Sequence, residues 1–219
     1  MYKVKERDIK VAIFDLDGTL LNSLGVWSDI DVRFLTKRNL DVPEDYAQNI
    51  AALSFKQVAE YTIRYFNLNL RVEDVMKEWF DMALHEYSNN VLLKPYALEY
   101  LYFLKEKDVK LCTASNLPSV LSKPVLENNG VLELFDAFFE PKDVGKSKKY
   151  PDLFLYCANK LNTDPTNCMV FEDIPVNIKG AKKANMLTCG VYDEHSLYYQ
   201  DDLKNHSDIY IKSFKELLP

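Results

Sequence analysis

Beyond Pro95 the sequence alternates between stretches of helical and of strand character, and this limits the fold more than any other feature of the chain. Helical spacing covers 96–107, an apolar strand follows at 109–113, then a helix near 120–128 and a short apolar run at 136–139. A helix over 151–161, a strand over 168–171, a helix over 175–184 and a strand over 187–192 come next. The pattern closes with a strand at 209–211 and a terminal helix. Strands separated by helices cannot pair as hairpins, so they line up in parallel, and a parallel sheet buries both faces under its connecting helices.

The first strand stands apart from the others. Lys10 to Phe14 is an apolar, β-branched run that stops abruptly at Asp15-Leu16-Asp17-Gly18-Thr19, the pattern of a buried strand opening into a polar loop. Helical grammar then takes over. Phe55, Val58, Ala59, Thr62, Ile63 and Phe66 recur at three-and-four spacing, as do Val72, Val75, Met76, Trp79, Phe80, Ala83 and Tyr87. With a less regular stretch at 24–40, this makes a helical block in which Trp79 reads as packing. The fold class is therefore α/β, with a Rossmann-like parallel-sheet core formed by 1–21 and 94–219. A small α-helical cap domain, 22–93, is inserted after the first strand.

Composition narrows the partners. The 219 residues carry 27 Lys and Arg against 33 Asp and Glu, a net charge of −6, without the basic excess that neutralises a phosphate backbone. Nucleic acid is not expected as a partner. No apolar stretch is long enough to span a bilayer, so no membrane is expected either. The N-terminus has no hydrophobic run of the signal-peptide kind. Cys112, Cys157, Cys168 and Cys189 are scattered, with no CxxC pair, and read as reduced, buried thiols of a cytoplasmic protein.

In parallel sheets ligands bind beyond the carboxyl ends of the strands, and the polar residues there are distinctive. Asp15 and Asp17, two apart, can project to one side of an extended backbone. Thr113-Ala114-Ser115-Asn116 follows the second core strand, Lys146-Ser147-Lys148-Lys149 lies in the next connection, and Glu172-Asp173 ends a later strand. Acids gathered at one point repel each other, so either some are protonated or a cation is present, and such a set suits Mg²⁺, a hard ion that prefers oxygen. A hydroxyl, backbone amides and a lysine would hold a phosphoryl group on the other side. The residues point to Mg²⁺-dependent phosphoryl transfer with a carboxylate nucleophile.

With these motifs in order, the chain resembles the haloacid dehalogenase-like hydrolases, in the phosphatase and β-phosphoglucomutase branch with a helical cap after the first strand. Phe14-Asp15-Leu16-Asp17-Gly18-Thr19-Leu20 is similar to the first family motif and Thr113 to the second. The third resembles Asp143 to Phe154, where a lysine three residues before Pro151-Asp152 selects Lys148. The fourth resembles Val170-Phe171-Glu172-Asp173 with Asn177 and Ala181. The resemblance implies that Asp15 is the nucleophile and Asp17 the general acid and base. It implies Thr113, the Ala114 amide and Lys148 as phosphate ligands. The Mg²⁺ ligands it implies are Asp15, the Asp17 backbone carbonyl and Asp173, with Glu172 behind them.

The expected activity is a phosphatase acting on a small phosphorylated metabolite through an aspartyl phosphate. A sugar phosphate mutase is the nearest alternative, and a phosphoacceptor signalling module a more distant one. The mutases of the branch resemble each other in a His ten residues after the second Asp and an Arg early in the cap. Here Trp27 takes the first position, and around Ser54-Phe55-Lys56 there is no Arg. Charge alone makes Lys56 and Arg33 the candidates for specificity in the cap. Asn22 stands where many relatives have Asp, Pro118 and Pro124 are expected to delay or bend the helix after Thr113, and His85, His195 and His206 read as surface or packing residues. The sequence leaves the oligomeric state open.

Overall fold

A computed structural model describes residues 2–50, 53 and 55–219, apart from the side chain of Gln48; Ser54 lies outside the described residues. In chain order the strands are β1 (Tyr2–Val4), β2 (Arg7–Ile9), β3 (Val11–Phe14), β4 (Lys110–Ala114), β5 (Ala137–Phe139), β6 (Cys168–Glu172), β7 (Leu187–Val191) and β8 (Ile209–Ile211). The helices are α1 (Val26–Thr36), α2 (Tyr46–Ile50), α3 (Phe55–Tyr65), α4 (Val72–Asn89), α5 (Ala97–Glu106), α6 (Ser119–Asn128), α7 (Asp152–Lys160), α8 (Pro175–Lys183) and α9 (Gln200–His206). Two compact units result: Met1–Ser23 with Val91–Pro219, and Leu24–Asn90.

The larger unit is built on a six-stranded sheet of order β5-β4-β3-β6-β7-β8, parallel at every pairing. This is the Rossmann-like α/β architecture expected from the alternation. All four residues of β3 are buried, and their side chains alternate between faces. Val11 and Ile13 pack with Leu153 and Cys157 of α7 and Ala181 of α8. On the other face Phe14 lies flat on Phe171, ring centroids 4.4 Å apart and planes within 9°. Tyr100 of α5 and Phe214 close over that pair. Full burial of such aromatic rings contributes on the order of 2–3 kcal/mol each.

Three elements depart from the sequence reading. The N-terminal segment forms a hairpin, β1 with β2, turning through Lys5 and Glu6, both at positive φ. No Gly or Asn marks that turn, so the usual signal is missing. The expected terminal helix is a single 3₁₀ turn, Phe214–Leu217, closed by a capping box between Ser213 and Glu216. Helix α9 has no counterpart in the sequence reading. Pro118 caps α6 at its start, and Pro124 sits inside it. The hydrogen bond that Pro124 cannot make leaves the carbonyl of Val120, a residue 50% exposed and open to water.

In the smaller unit α1 and α3 pack on α4. Phe34 meets Trp79 edge-on at 5.3 Å, and Val75, Ala83 and Tyr87 complete the buried stripe of α4. Trp79 is 2% exposed, a packing residue as its spacing indicated. All four cysteines are buried and free. No described helix is long and apolar enough to cross a membrane.

Candidate active site

Sheet register brings the candidate residues to one edge. Phe14 of β3 is level with Thr113 of β4 and with Phe171 of β6, so the residues just beyond them emerge side by side. The chain leaves β4 and β6 on opposite sides of β3, which opens a crevice at the carboxyl ends of the strands. Asp15, Glu172 and Asp173 are all buried there, each offering a carboxylate oxygen within 4.8 Å of the others.

Lys148 is the cation of the cluster. Its Nζ lies 2.5 Å from Asp15 Oδ1 and 2.5 Å from Glu172 Oε1, and the residue is 2% exposed. Burial works against the ammonium charge, but the Asp15 and Glu172 carboxylates outweigh it and hold the lysine pKa above its ordinary value. Glu172 is pinned further by the amide of Asn177 at 2.8 Å and the backbone N–H of Ile174 at 3.1 Å. Burial still lifts the Glu172 carboxyl above the usual range, with Lys148 pulling the other way.

Asp173 is held differently. It accepts from the Thr19 hydroxyl at 3.0 Å, and burial, then the Glu172 and Asp15 charges, push its carboxyl far above the usual range. Three carboxyls surround one lysine, and Asp173 is the one that Lys148 does not pair with. An all-oxygen set with excess negative charge fits a hard divalent cation, so this cluster could hold a metal.

Asp17 stands beside the cluster, and its Oδ1 accepts from the Ser23 hydroxyl at 2.6 Å. Gly18, at φ 75°, makes the turn that follows, a conformation that favours glycine. Thr113, Ala114 and Ser115 are buried at the end of β4, and among the described residues the Thr113 hydroxyl makes no hydrogen bond. Arg33 and Lys56 belong to the helical unit. Arg33 pairs with Glu86 at 2.7 Å, and Lys56 lies 3.8 Å from Glu60. His195 and His206 meet nearby acids of their own loop and helix.

Two groups escaped the sequence reading. Lys94 donates to the carbonyls of Gly18 and Tyr192 and pairs with Asp193 at 2.9 Å, tethering the loop after β3. Gly180 lies against the backbone of Lys148 and Lys149. A lone lysine before a proline gives no local signal, whereas Gly180 inside an otherwise good helix did break the propensity rule.

A family model for haloacid dehalogenase-like hydrolases matches residues 9–185, most of the chain and all four motifs. The chain belongs to the haloacid dehalogenase-like hydrolases. Among relatives of known name, it is 24% identical over 208 residues to validoxylamine A 7'-phosphate phosphatase of Streptomyces hygroscopicus subsp. limoneus, covering 95% of each chain. It is 26% identical over 183 residues to hexitol phosphatase B of Escherichia coli, covering 82% of each. A Thermotoga maritima structure described as a candidate β-phosphoglucomutase superposes with a TM-score of 0.82 at 22% identity, over 96% of this chain and 100% of that one, a likeness of fold. As a member of this family the chain is an enzyme, and the named relatives make the class, at family level, a phosphoric monoester hydrolase.

Proposed function

We propose that the protein is a Mg²⁺-dependent phosphatase that hydrolyses a small phosphorylated metabolite through an aspartyl phosphate on Asp15. The observation that carries this reading is the buried cluster of Asp15, Glu172 and Asp173 around Lys148 at one sheet edge. A carboxylate nucleophile, a fixed cation and a spare acid are the parts that phosphoryl transfer requires. The names of the relatives, one a phosphatase of validoxylamine A 7'-phosphate and another a hexitol phosphatase, support a sugar or polyol phosphate as the substrate class. Four free, buried thiols support a reducing, cytoplasmic setting.

In the first half-reaction an oxygen of Asp15 attacks phosphorus and the bond to the alcohol oxygen breaks. Asp17 gives its proton to that leaving oxygen. In the second, water attacks phosphorus, Asp17 takes the water proton, and the bond from phosphorus to Asp15 breaks to release inorganic phosphate. The Ser23 hydroxyl orients Asp17 for both transfers. Lys148, the free Thr113 hydroxyl and the Ala114 amide hold the phosphoryl oxygens. Mg²⁺ would be held by Asp15, Asp173 and the Asp17 carbonyl, with Glu172 behind them. When bound it offsets the repulsion between an anionic nucleophile and an anionic phosphate.

The test is phosphate release from a panel of sugar, polyol and nucleoside phosphates, with Mg²⁺ and with excess chelator. Turnover with Mg²⁺, lost in chelator and lost in Asp15→Asn, is the expected result. Turnover in Asp15→Asn above about a tenth of wild type would overturn the nucleophile, since an amide attacks phosphorus poorly. The mutase alternative is read by supplying β-glucose 1-phosphate with a trace of the 1,6-bisphosphate. Glucose 6-phosphate appearing faster than free phosphate would replace hydrolysis with isomerisation.

A further inference from the structure

The turn that follows β3 is closed on one carbonyl and held from outside. The Leu16 carbonyl accepts from the amides of Thr19, Leu20 and Leu21 at 3.2, 3.0 and 2.9 Å. Lys94 grips this turn twice. Its backbone N–H donates to the Leu20 carbonyl at 2.9 Å, and its ammonium donates to the Gly18 carbonyl. The same ammonium reaches the Tyr192 carbonyl at 2.6 Å and Asp193 Oδ2 at 2.9 Å.

An ammonium has three protons to give, and here all three meet acceptors on a side chain that is 11% exposed. Asp193 is buried, and its other oxygen accepts from the His195 N–H at 2.8 Å. A desolvated ion pair is a poor source of stability compared with apolar packing, and its best-attested use is to fix one arrangement. What this pair fixes is the exit of β3 against the exit of β7, the two strands on either side of β6. The segment that carries Lys94 is itself constrained, since Tyr96 holds a left-handed φ of 63°, a conformation that persists in a bulky residue only where its surroundings impose it.

Gly18 stands between two residues of the site. Asp17 before it accepts from the Ser23 hydroxyl at 2.6 Å, and Thr19 after it donates its hydroxyl to Asp173 at 3.0 Å. The Gly18 carbonyl and the Thr19 N–H share one planar peptide, so a clamp on that carbonyl sets the plane on which both neighbours depend. We propose that Lys94 is a positioning residue for proton transfer, which holds the Asp17 carboxyl toward the leaving oxygen by clamping Gly18 to the exit of β7. The proposal rests on the phosphatase reading. Lys94 acts through Gly18, its own ammonium being fully occupied.

Two leaving groups separate positioning of an acid from general support of the site. p-Nitrophenolate leaves without a proton, whereas the alkoxide of sorbitol 6-phosphate needs one from Asp17. The quantity compared is kcat/KM, which follows the first half-reaction. The variant is Lys94→Met combined with Asp193→Asn, so that no buried carboxylate is orphaned, and thermal unfolding checks that it folds. Its kcat/KM is expected to fall at least about thirtyfold with sorbitol 6-phosphate and no more than about threefold with p-nitrophenyl phosphate. Lys94→Arg, which keeps a charge for Asp193 and changes the geometry at Gly18, is expected to show the same order with smaller losses. Equal losses with the two esters would overturn the proposal. A crystal structure of the double variant gives a result without turnover: the Gly18 carbonyl is expected to shift and the bond from Ser23 to Asp17 to break, and an unmoved turn would overturn the proposal. A wild type that hydrolyses neither ester would sink the phosphatase reading, while the crystal structure would still decide whether Lys94 positions Asp17.

Discussion

Gly180 of α8 packs so closely under Lys148 that a Cβ on it would lie 2.0 Å from the Lys148 carbonyl oxygen. The obstacle is backbone, so relief requires the loop that carries Lys148 to move. We expect Gly180→Ala to shift the Lys148 ammonium away from Asp15 and lower kcat by at least about tenfold, since misplacement by an ångström costs on the order of a hundredfold. Overpacking should also cost about 1–3 kcal/mol in unfolding free energy. Wild-type turnover in this variant would mean that the loop yields without moving the ammonium.

Asp173 is the carboxyl of the cluster that Lys148 does not pair with, and its neutral form is favoured by burial and by repulsion from the charges of Glu172 and Asp15. Asp173→Asn removes that repulsion, so without Mg²⁺ the variant should be more stable than wild type at pH 7, by about 1–2 kcal/mol, as is common when functional strain is relieved. Wild type should then gain stability as Mg²⁺ is added, by about 2.7 kcal/mol at a hundredfold excess over the dissociation constant, and Asp173→Asn should gain little. Denaturant unfolding with and without Mg²⁺ measures both. A variant that is stabilised by Mg²⁺ as strongly as wild type would remove Asp173 from the metal site.

Lys148→Met leaves Asp15 and Glu172 without their buried cation. Breaking such a pair typically costs about 3–5 kcal/mol. Burial already raises the Glu172 carboxyl, and losing the lysine removes the pull that opposes it, so the penalty is complete where Glu172 is ionised and falls away as acid protonates it. The loss of stability relative to wild type should therefore be larger at pH 8 than at pH 5.5. Unfolding curves at the two pH values decide it, and an equal loss at both would show that the lysine acts by packing alone.

The strand ends were legible because their chemistry is written in contiguous residues. Asp15 and Asp17, Thr113, and Glu172 and Asp173 each follow an apolar run, and the parallel register needs no more than equal strand lengths to bring them together. Lys148 was legible through its distance from Pro151-Asp152. Groups that act across large sequence separations were not. Lys94 reaches Gly18 and Tyr192, 76 and 98 residues away, and no local pattern encodes such a reach. The hairpin through Lys5 and Glu6 was hidden for the opposite reason, since its turn uses residues that carry no turn preference. Helix α9 has its acids in the first turn and Lys204 and His206 in the last, a charge pattern suited to the helix dipole. Its one buried residue, Leu203, leaves no apolar period to detect.

Asp31 offers a test of the helical unit that needs no ligand. Burial raises its carboxyl from 3.8 to about 6, and no other cause contributes. The sign follows from linkage: ionisation is penalised in the folded state, so the penalty is complete above about pH 6, shrinks between 6 and 4, and is absent below both values. A rise of this size corresponds to at most about 3 kcal/mol, and partial contact with water reduces that to about 1–2 kcal/mol. Asp31→Asn should therefore be more stable than wild type by about that amount at pH 7.5 and no more stable at pH 4. Tryptophan fluorescence during denaturant unfolding reads this unit directly, because Trp27 and Trp79 both belong to it. An advantage for Asp31→Asn that persisted at pH 4 would show that the amide gains a hydrogen bond and that the carboxylate was not the source of the cost.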